Sequence, residues 1–339
     1  MKIKKLLIIG GIVLVLLALT FAKNIFQKVK IAKSSSSEPA ILLIKDDPAI
    51  FVNKIEIYNG IDQASKLVLV REPNGEWVIA SKFKAKARKE AVEGVLNNLR
   101  RLKGEVRGES KDLFADFALQ DNQSGHLILK DASDKILLNL VVSFKMTNWN
   151  QSYARLADSE EILLLNGDVL GWFGMLEPSV KPQSGVFADY GIFSFDTNLV
   201  VKIDLIGDAR HSLVMSRSEP AAPWRFEKSR NKTEIPDPGK VNDFLLNILN
   251  STCLDMADPK LNSYGFDHPV KTLKLDSVKA KKTTQIQIEI GAPIKEKNAF
   301  YARVFPENKV YILPDSFMKL LDRDKASFIS KPVKKKNKR

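Results

Sequence analysis

The sequence predicts an α+β protein, two tandem repeats of a mostly antiparallel sheet with an inserted helix, preceded by one N-terminal transmembrane helix. Three observations lead there. The first is a set of landmarks that recurs at one spacing. Trp77 and Trp224 are followed 42 residues later by Leu119 and Phe266, and 76 or 77 residues later by Tyr153 and Tyr301. NKIEI at 53–57 matches VKIDL at 201–205, upstream of each tryptophan. Landmarks that keep their order and spacing over about 100 positions are the signature of an internal duplication. The second is periodicity: short alternating runs of strand type surround one apolar stripe of helical spacing in each half. The third is a charge-free apolar run close to the N-terminus.

Taken in order, residues 1–33 read as a basic n-region and membrane anchor. MKIKK precedes LLIIGGIVLVLLALTFA at 6–22, and seventeen helical residues rise about 26 Å, near the lower limit for a hydrocarbon core. Ile25 and Phe26 extend the run, with Lys23 snorkelling. A cleaved secretory signal is the alternative. An uncleaved anchor is preferred because Thr20-Phe21-Ala22 is an imperfect cleavage site and the run exceeds a typical h-region. Residues 34–40, SSSSEPA, form a linker.

The first α+β repeat covers 41–176. KIEI, KLVLV and WVI read as strands, and Val92, Val95, Leu96, Leu99 and Leu102 form the apolar face of a helix. HLILKD, KILLNLVVS, YARLA and EILLLN follow as strands. A proline-bearing connector covers 177–191. The second repeat covers 192–325. Asp237-Pro238 supplies an N-cap and a first-turn proline for a helix with Val241, Phe244, Leu245, Ile248 and Leu249 on one side. KTLKLD, TQIQIEIG, YARVF and KVYIL follow as strands. In TQIQIEI, Ile286, Ile288 and Ile290 face a core while Gln285, Gln287 and Glu289 face out. Residues 326–339 form a basic tail.

The net charge of +13 belongs to the two ends. Seven lysines in 1–37 and six basic residues in 331–339 account for all of it. The body between is neutral, so a basic groove for nucleic acid is not implied. Cys253 is the single cysteine and reads as a buried small apolar residue, so no intramolecular disulfide forms.

Tyr-Ala-Arg occurs twice, at 153–155 and 301–303. In a strand, Tyr and Arg share one face and Ala takes the other with Leu156 or Val304. Polar turns follow, so each triplet opens a hairpin. The preferred role for Arg155 and Arg303 is to cover a sheet face with their stems; the sharper alternative is a paired anion contact. Trp149, an aromatic in the polar loop TNWNQ, reads as a contact for a glycan or a partner. Trp149, Arg155 and Arg303 are therefore the candidate partner contacts.

His126, His211 and His268 show no metal-ligand spacing, and the chain holds no G-x-S-x-G elbow, P-loop or G-x-G-x-x-G. No catalytic, cofactor-binding or metal-ligating residue is assigned, and no cofactor is expected. The protein is read as not an enzyme.

A strand pair ending in a tryptophan (GEWVIA), a helix (EAVEGVLNNLRRL), a glycine–aromatic turn (Gly265-Phe266-Asp267-His268-Pro269) and a closing Tyr-Ala-Arg hairpin resemble the bacterial domain-of-unknown-function family 4340 (DUF4340). The resemblance covers roughly 41–325. The first copy departs from the turn, reading Ala118-Leu119-Gln120-Asp121-Asn122. The resemblance implies a bacterial inner-membrane protein with one N-terminal helix and its body in the periplasm. It also implies association with an ABC-type transport system of the gliding-motility auxiliary kind, so the expected partners are the membrane and an ABC permease/ATPase complex, with no nucleic acid. The function expected is that of an extracytoplasmic interaction protein and transport accessory subunit. The alternative is an envelope glycan-binding protein or enzyme with a site between the repeats.

Overall fold

In a computed structural model, the described residues are 41–42, 52–145, 147, 150–208, 210–227 and 234–330, with side chains from 52 onward. The anchor at 6–22 and the linker at 34–40 lie outside them. Among the described residues no helix is long and apolar enough to cross a membrane. The chain divides into two compact units between Ala188 and Asp189.

The first unit is built on a ten-stranded sheet. Its elements are β1 (Ile41–Leu42), β2 (Lys54–Asn59), β3 (Asp62–Arg71), β4 (Trp77–Ile79), β5 (Ala85–Lys86), α1 (Lys89–Arg100), β6 (Lys103–Glu109), β7 (Gly125–Lys130), β8 (Ile136–Val142), β9 (Ser152–Leu156) and β10 (Glu161–Leu165). The spatial order is β1-β6-β10-β9-β8-β7-β2-β3-β4-β5, with antiparallel pairs throughout. Period-two patterning buries Ile55, Ile57, Leu67, Leu69, Leu127, Leu129, Leu138 and Leu140 on one side. α1 buries Val92, Val95, Leu96 and Leu99, as its stripe predicts.

The second unit has an eight-stranded sheet. Its elements are β11 (Val200–Ile206), β12 (Leu213–Ser216), β13 (Arg225–Phe226), α2 (Pro238–Leu249), β14 (Asp255–Ala257), β15 (Lys271–Lys279), β16 (Lys282–Ile294), β17 (Ala299–Phe305), β18 (Lys309–Pro314) and α3 (Asp315–Leu321). The order is β13-β12-β11-β15-β16-β17-β18-β14. α2 starts where expected: the Asp237 carboxylate accepts from the Gly239 amide at 2.8 Å and the Lys240 amide at 3.3 Å. Its buried face joins Ile203, Leu205, Leu273, Leu275, Ile288, Ala302 and Leu313 in one core.

The two sheets share one strand order. From the strand after the helix, each runs through the four later strands in reverse and then the strands that precede the helix in chain order, β2 to β5 in the first unit and β11 to β13 in the second. The segment preceding each group touches the same edge, through β1 on Lys103 and Gly104 in the first unit and through a bridge from Gly191 to Thr252 in the second.

Several elements go beyond the sequence reading. β6, KGEVRGE, and β14, DMA, were not expected, because glycines and charges lower strand propensity and β14 has three residues. Pairing with β10 and β18 makes them strands. α3 buries Phe317, Met318 and Leu321, a stripe too short to stand out in the sequence. The connector and the tail also shift. Residues 177–188 belong to the first unit, where Asn59 bonds the Pro178 carbonyl and Lys181 pairs with Asp62 at 2.8 Å. Phe328, placed in the basic tail by the sequence, packs edge-on against Phe244 in the second core.

Candidate functional site

In both units the two Tyr-Ala-Arg triplets lie on strands that enter hairpins, β9 before β10 and β17 before β18. Ala154 and Ala302 are fully buried, and Tyr and Arg occupy the opposite face, as alternation requires. A segment crosses that face in each unit, and the triplet holds it there.

In the first unit, Tyr153 meets Phe117 edge-on at 4.8 Å, and the Arg155 guanidinium lies 4.5 Å from the Phe114 ring centre. Arg155 Nε donates to the Leu119 carbonyl at 3.2 Å, and Nη1 donates to the carbonyls of Leu156 (3.2 Å) and Ala157 (3.0 Å). Nη2 pairs with Asp121. Arg155 is only 4% exposed, whereas the Asp121 side chain is 73% exposed. In the second unit, Tyr301 packs on Tyr264 at 4.3 Å. The Arg303 guanidinium lies between Phe266, at 4.7 Å, and Phe305, at 5.1 Å. Both Nε and Nη2 donate to Glu289 Oε2, at 3.1 and 2.6 Å.

The registers make the two sites equivalent. Arg155 stands opposite Val141 on β8, and Arg303 opposite Glu289 on β16. Valine therefore occupies in the first unit the place of the carboxylate that neutralises the arginine in the second. The turn also matches. Ala118 takes the left-handed conformation, φ +51, that Gly265 takes at φ +76, so the departure from the glycine turn changes the residue and keeps the backbone. A cleft of about 500 Å³ opens over Arg155, walled by Lys111, Phe114, Gln120 and Asp158.

A second cluster lies on β2. The Glu56 carboxylate receives Lys130 at 2.8 Å, Lys66 at 3.0 Å and Lys54 at 3.1 Å. Burial pushes this carboxyl up, but hydrogen bonds from Lys130, Lys66 and Lys54 outweigh that and hold it at about 2, from 4.5. Beside it, the Tyr58 ring stacks on His126 at 4.7 Å, and His126 Nε2 lies 2.8 Å from the Asp121 carbonyl oxygen. Asp204 takes the place of Glu56 in the second unit, since Glu56 stands opposite Ile128 and Val68 while Asp204 stands opposite Lys274 and Val214.

Trp149 lies outside the described residues. Arg155 and Arg303 are in separate units, each with its donors turned onto its own unit. The sequence reading assigned neither Asp121 nor Glu289 to a site and did not include the Glu56 cluster. Lysines at 54, 66 and 130 converge only once β3 and β7 flank β2. The repeated Tyr-Ala-Arg was the one available signal for the arginine sites. Among the described residues, no group of three or more His, Cys, Asp or Glu is placed to hold a metal ion.

Residues 77–260 match the family model described as Domain of unknown function (DUF4340). The match covers more than half of the chain, and the chain belongs to that family. Neither the comparison with curated proteins nor that with solved structures gives a match.

Proposed function

We propose that this DUF4340 member is a membrane-tethered, extracytoplasmic interaction protein that serves as an accessory subunit of an ABC-type transport complex. The observation that carries the interaction reading is the repetition of one strand order in two units, each with its Tyr-Ala-Arg arginine engaged internally. That repetition supports a duplicated domain, and an arginine so engaged stiffens a surface. The apolar run at 6–22 behind MKIKK supports the tether. A lone N-terminal export signal supports placing the body on the periplasmic side of a bacterial inner membrane. The transport association rests on the family resemblance.

The test is co-purification. A C-terminal tag, extraction in mild detergent, crosslinking and mass spectrometry are expected to recover an ABC permease or its ATPase. Recovery of the full-length protein alone, under conditions that keep a known membrane complex together, would overturn the accessory-subunit reading.

A further inference from the structure

The second unit carries a groove along α2. Two clefts, about 480 and 370 Å³, adjoin and share Asn247 and Arg323 as common walls. The floor is apolar, with Phe244 and Phe328 in one cleft and Phe317 and Leu320 in the other. Lys240, Lys319 and Arg323 line the rim with Asp243. Lys319 pairs with Asp315 at 2.7 Å and Lys240 donates to the Ile329 carbonyl at 2.7 Å, which leaves Arg323 as the uncommitted cation of the rim.

Arg323 is exposed and has no ion-pair or hydrogen-bond partner among the described residues. This contrasts with Arg155 and Arg303, whose donors are occupied. Its neighbours are committed elsewhere: Asp322 to Lys271, and Asp324 to Ser327 at 2.6 Å. The planar guanidinium therefore has a vacant fork that matches a carboxylate. At the other end, Asn250, Thr252 and Ser316 bring side-chain polar groups with no partner among the described residues. Asn250 and Thr252 lie at the C-terminus of α2, where the helix dipole favours hydrogen-bond donors over anions, and Ser316 lies in the first turn of α3.

We infer that this groove takes an extended acidic segment of a partner protein, with a side-chain carboxylate on Arg323 and backbone amides on the polar end. Shape favours a peptide. α2 has 12 residues, about 18 Å of rise, which equals about five residues of extended chain. The unpaired charge of Arg323 selects the acid. The inference rests on the reading of the protein as an interaction subunit and gives its partner a chemistry.

The test uses the full-length protein in a neutral detergent and two dye-labelled, end-capped hexapeptide pools. Both are randomised except for two positions, held as glutamate in one pool and as glutamine in the other. Fluorescence anisotropy is expected to show the glutamate pool binding about ten-fold tighter, with the preference lost in Arg323→Gln. Arg323 is exposed and unpartnered, so this variant keeps its fold, which its melting curve checks. Lys111→Gln in the first unit serves as a control and keeps the preference. Equal affinity for the two pools, or a preference that survives Arg323→Gln combined with Lys319→Gln, overturns the inference. Failure here with the permease still co-purifying removes the groove and leaves the function. A glutamate preference without permease recovery does the reverse.

Discussion

Arg155 and Arg303 occupy one position in one strand order, and their counter-charges come from different places. In the second unit the sheet supplies the acid, Glu289, directly across from Arg303. In the first unit the sheet offers Val141, the acid is Asp121 on the crossing segment, and three backbone carbonyls take the remaining donors. What is common to both is the contact with the crossing segment: Leu119 and Phe114 in one, Phe266 in the other. The arginine's task is thus to pin that segment to the sheet. Its neutralising acid can sit wherever geometry allows, because any nearby carboxylate suffices.

The comparison makes its largest prediction for the arginines themselves. Arg155→Ala strands buried carbonyls and removes the stem from the sheet face, so the first unit loses about 3 kcal/mol. Arg303→Ala loses about 1–2 kcal/mol, since the Arg303 side chain itself is partly in solvent, Gln287 still donates to Glu289, and its aromatic neighbours can close in. Trp77 and Trp224, each buried at 4% exposure, report on the two units separately in denaturant titrations of single-tryptophan variants. Equal losses would erase the distinction drawn between the two sites.

The next contrast lies beneath the crossing segments. Gly291 takes the place of Ser143, and a Cβ at Gly291 would overlap the Tyr264 carbonyl oxygen and press on Phe266. Gly291→Ala is expected to destabilise the second unit by about 2 kcal/mol, while Ser143→Ala costs the first about 1 kcal/mol by removing the hydroxyl that accepts a hydrogen bond from the Lys145 amide. A silent Gly291→Ala would mean that the segment can lift off its sheet freely.

The left-handed turns offer a reciprocal pair. Gly265→Ala places a Cβ 3.0 Å from the Ala292 nitrogen at φ +76 and should cost about 1 kcal/mol. Ala118→Gly relieves an alanine held at φ +51 and is expected to change stability by under about 1 kcal/mol, towards stabilisation. Opposite signs are the result that the shared turn requires.

The smallest effect is the dependence on pH. The Glu56 carboxyl sits at about 2 in the folded protein against 4.5 for the free group. The folded state therefore binds fewer protons, and the stability Glu56 contributes is complete above about 4.5 and lost as pH falls towards 2. Glu56→Gln should lower the first unit's stability at neutral pH and flatten its decline in that window, as read by Trp77 fluorescence. An unchanged pH slope would show that the three lysines do not act through this carboxylate.

Much of the fold was readable because it is written in local periods. TQIQIEI alternates and forms the centre of β16, with Ile288 and Ile290 buried. The stripe from Val241 to Ile248 forms the buried side of α2 behind its Asp237 cap. β6 was not readable, because its glycines and charges carry a strand only when β10 pairs with it. The candidate sites were harder still. Tyr-Ala-Arg advertised the arginines, but nothing near Arg155 in sequence points to Asp121, 34 residues away, or shows that Glu289 belongs to Arg303.

Local chemistry thus sufficed for the strands, the two amphipathic helices and the Asp237 cap, because each depends on residues within a few positions of one another. Folding in three dimensions settled the rest. It chose which strand lies beside which, and with that register whether an arginine finds its acid on the sheet or on the segment above. It drew Lys54, Lys66 and Lys130 onto one carboxylate, and left Arg323 open on the groove rim. Charge acts through space over a few ångströms, and the chain brings such groups together only after it has closed its sheets.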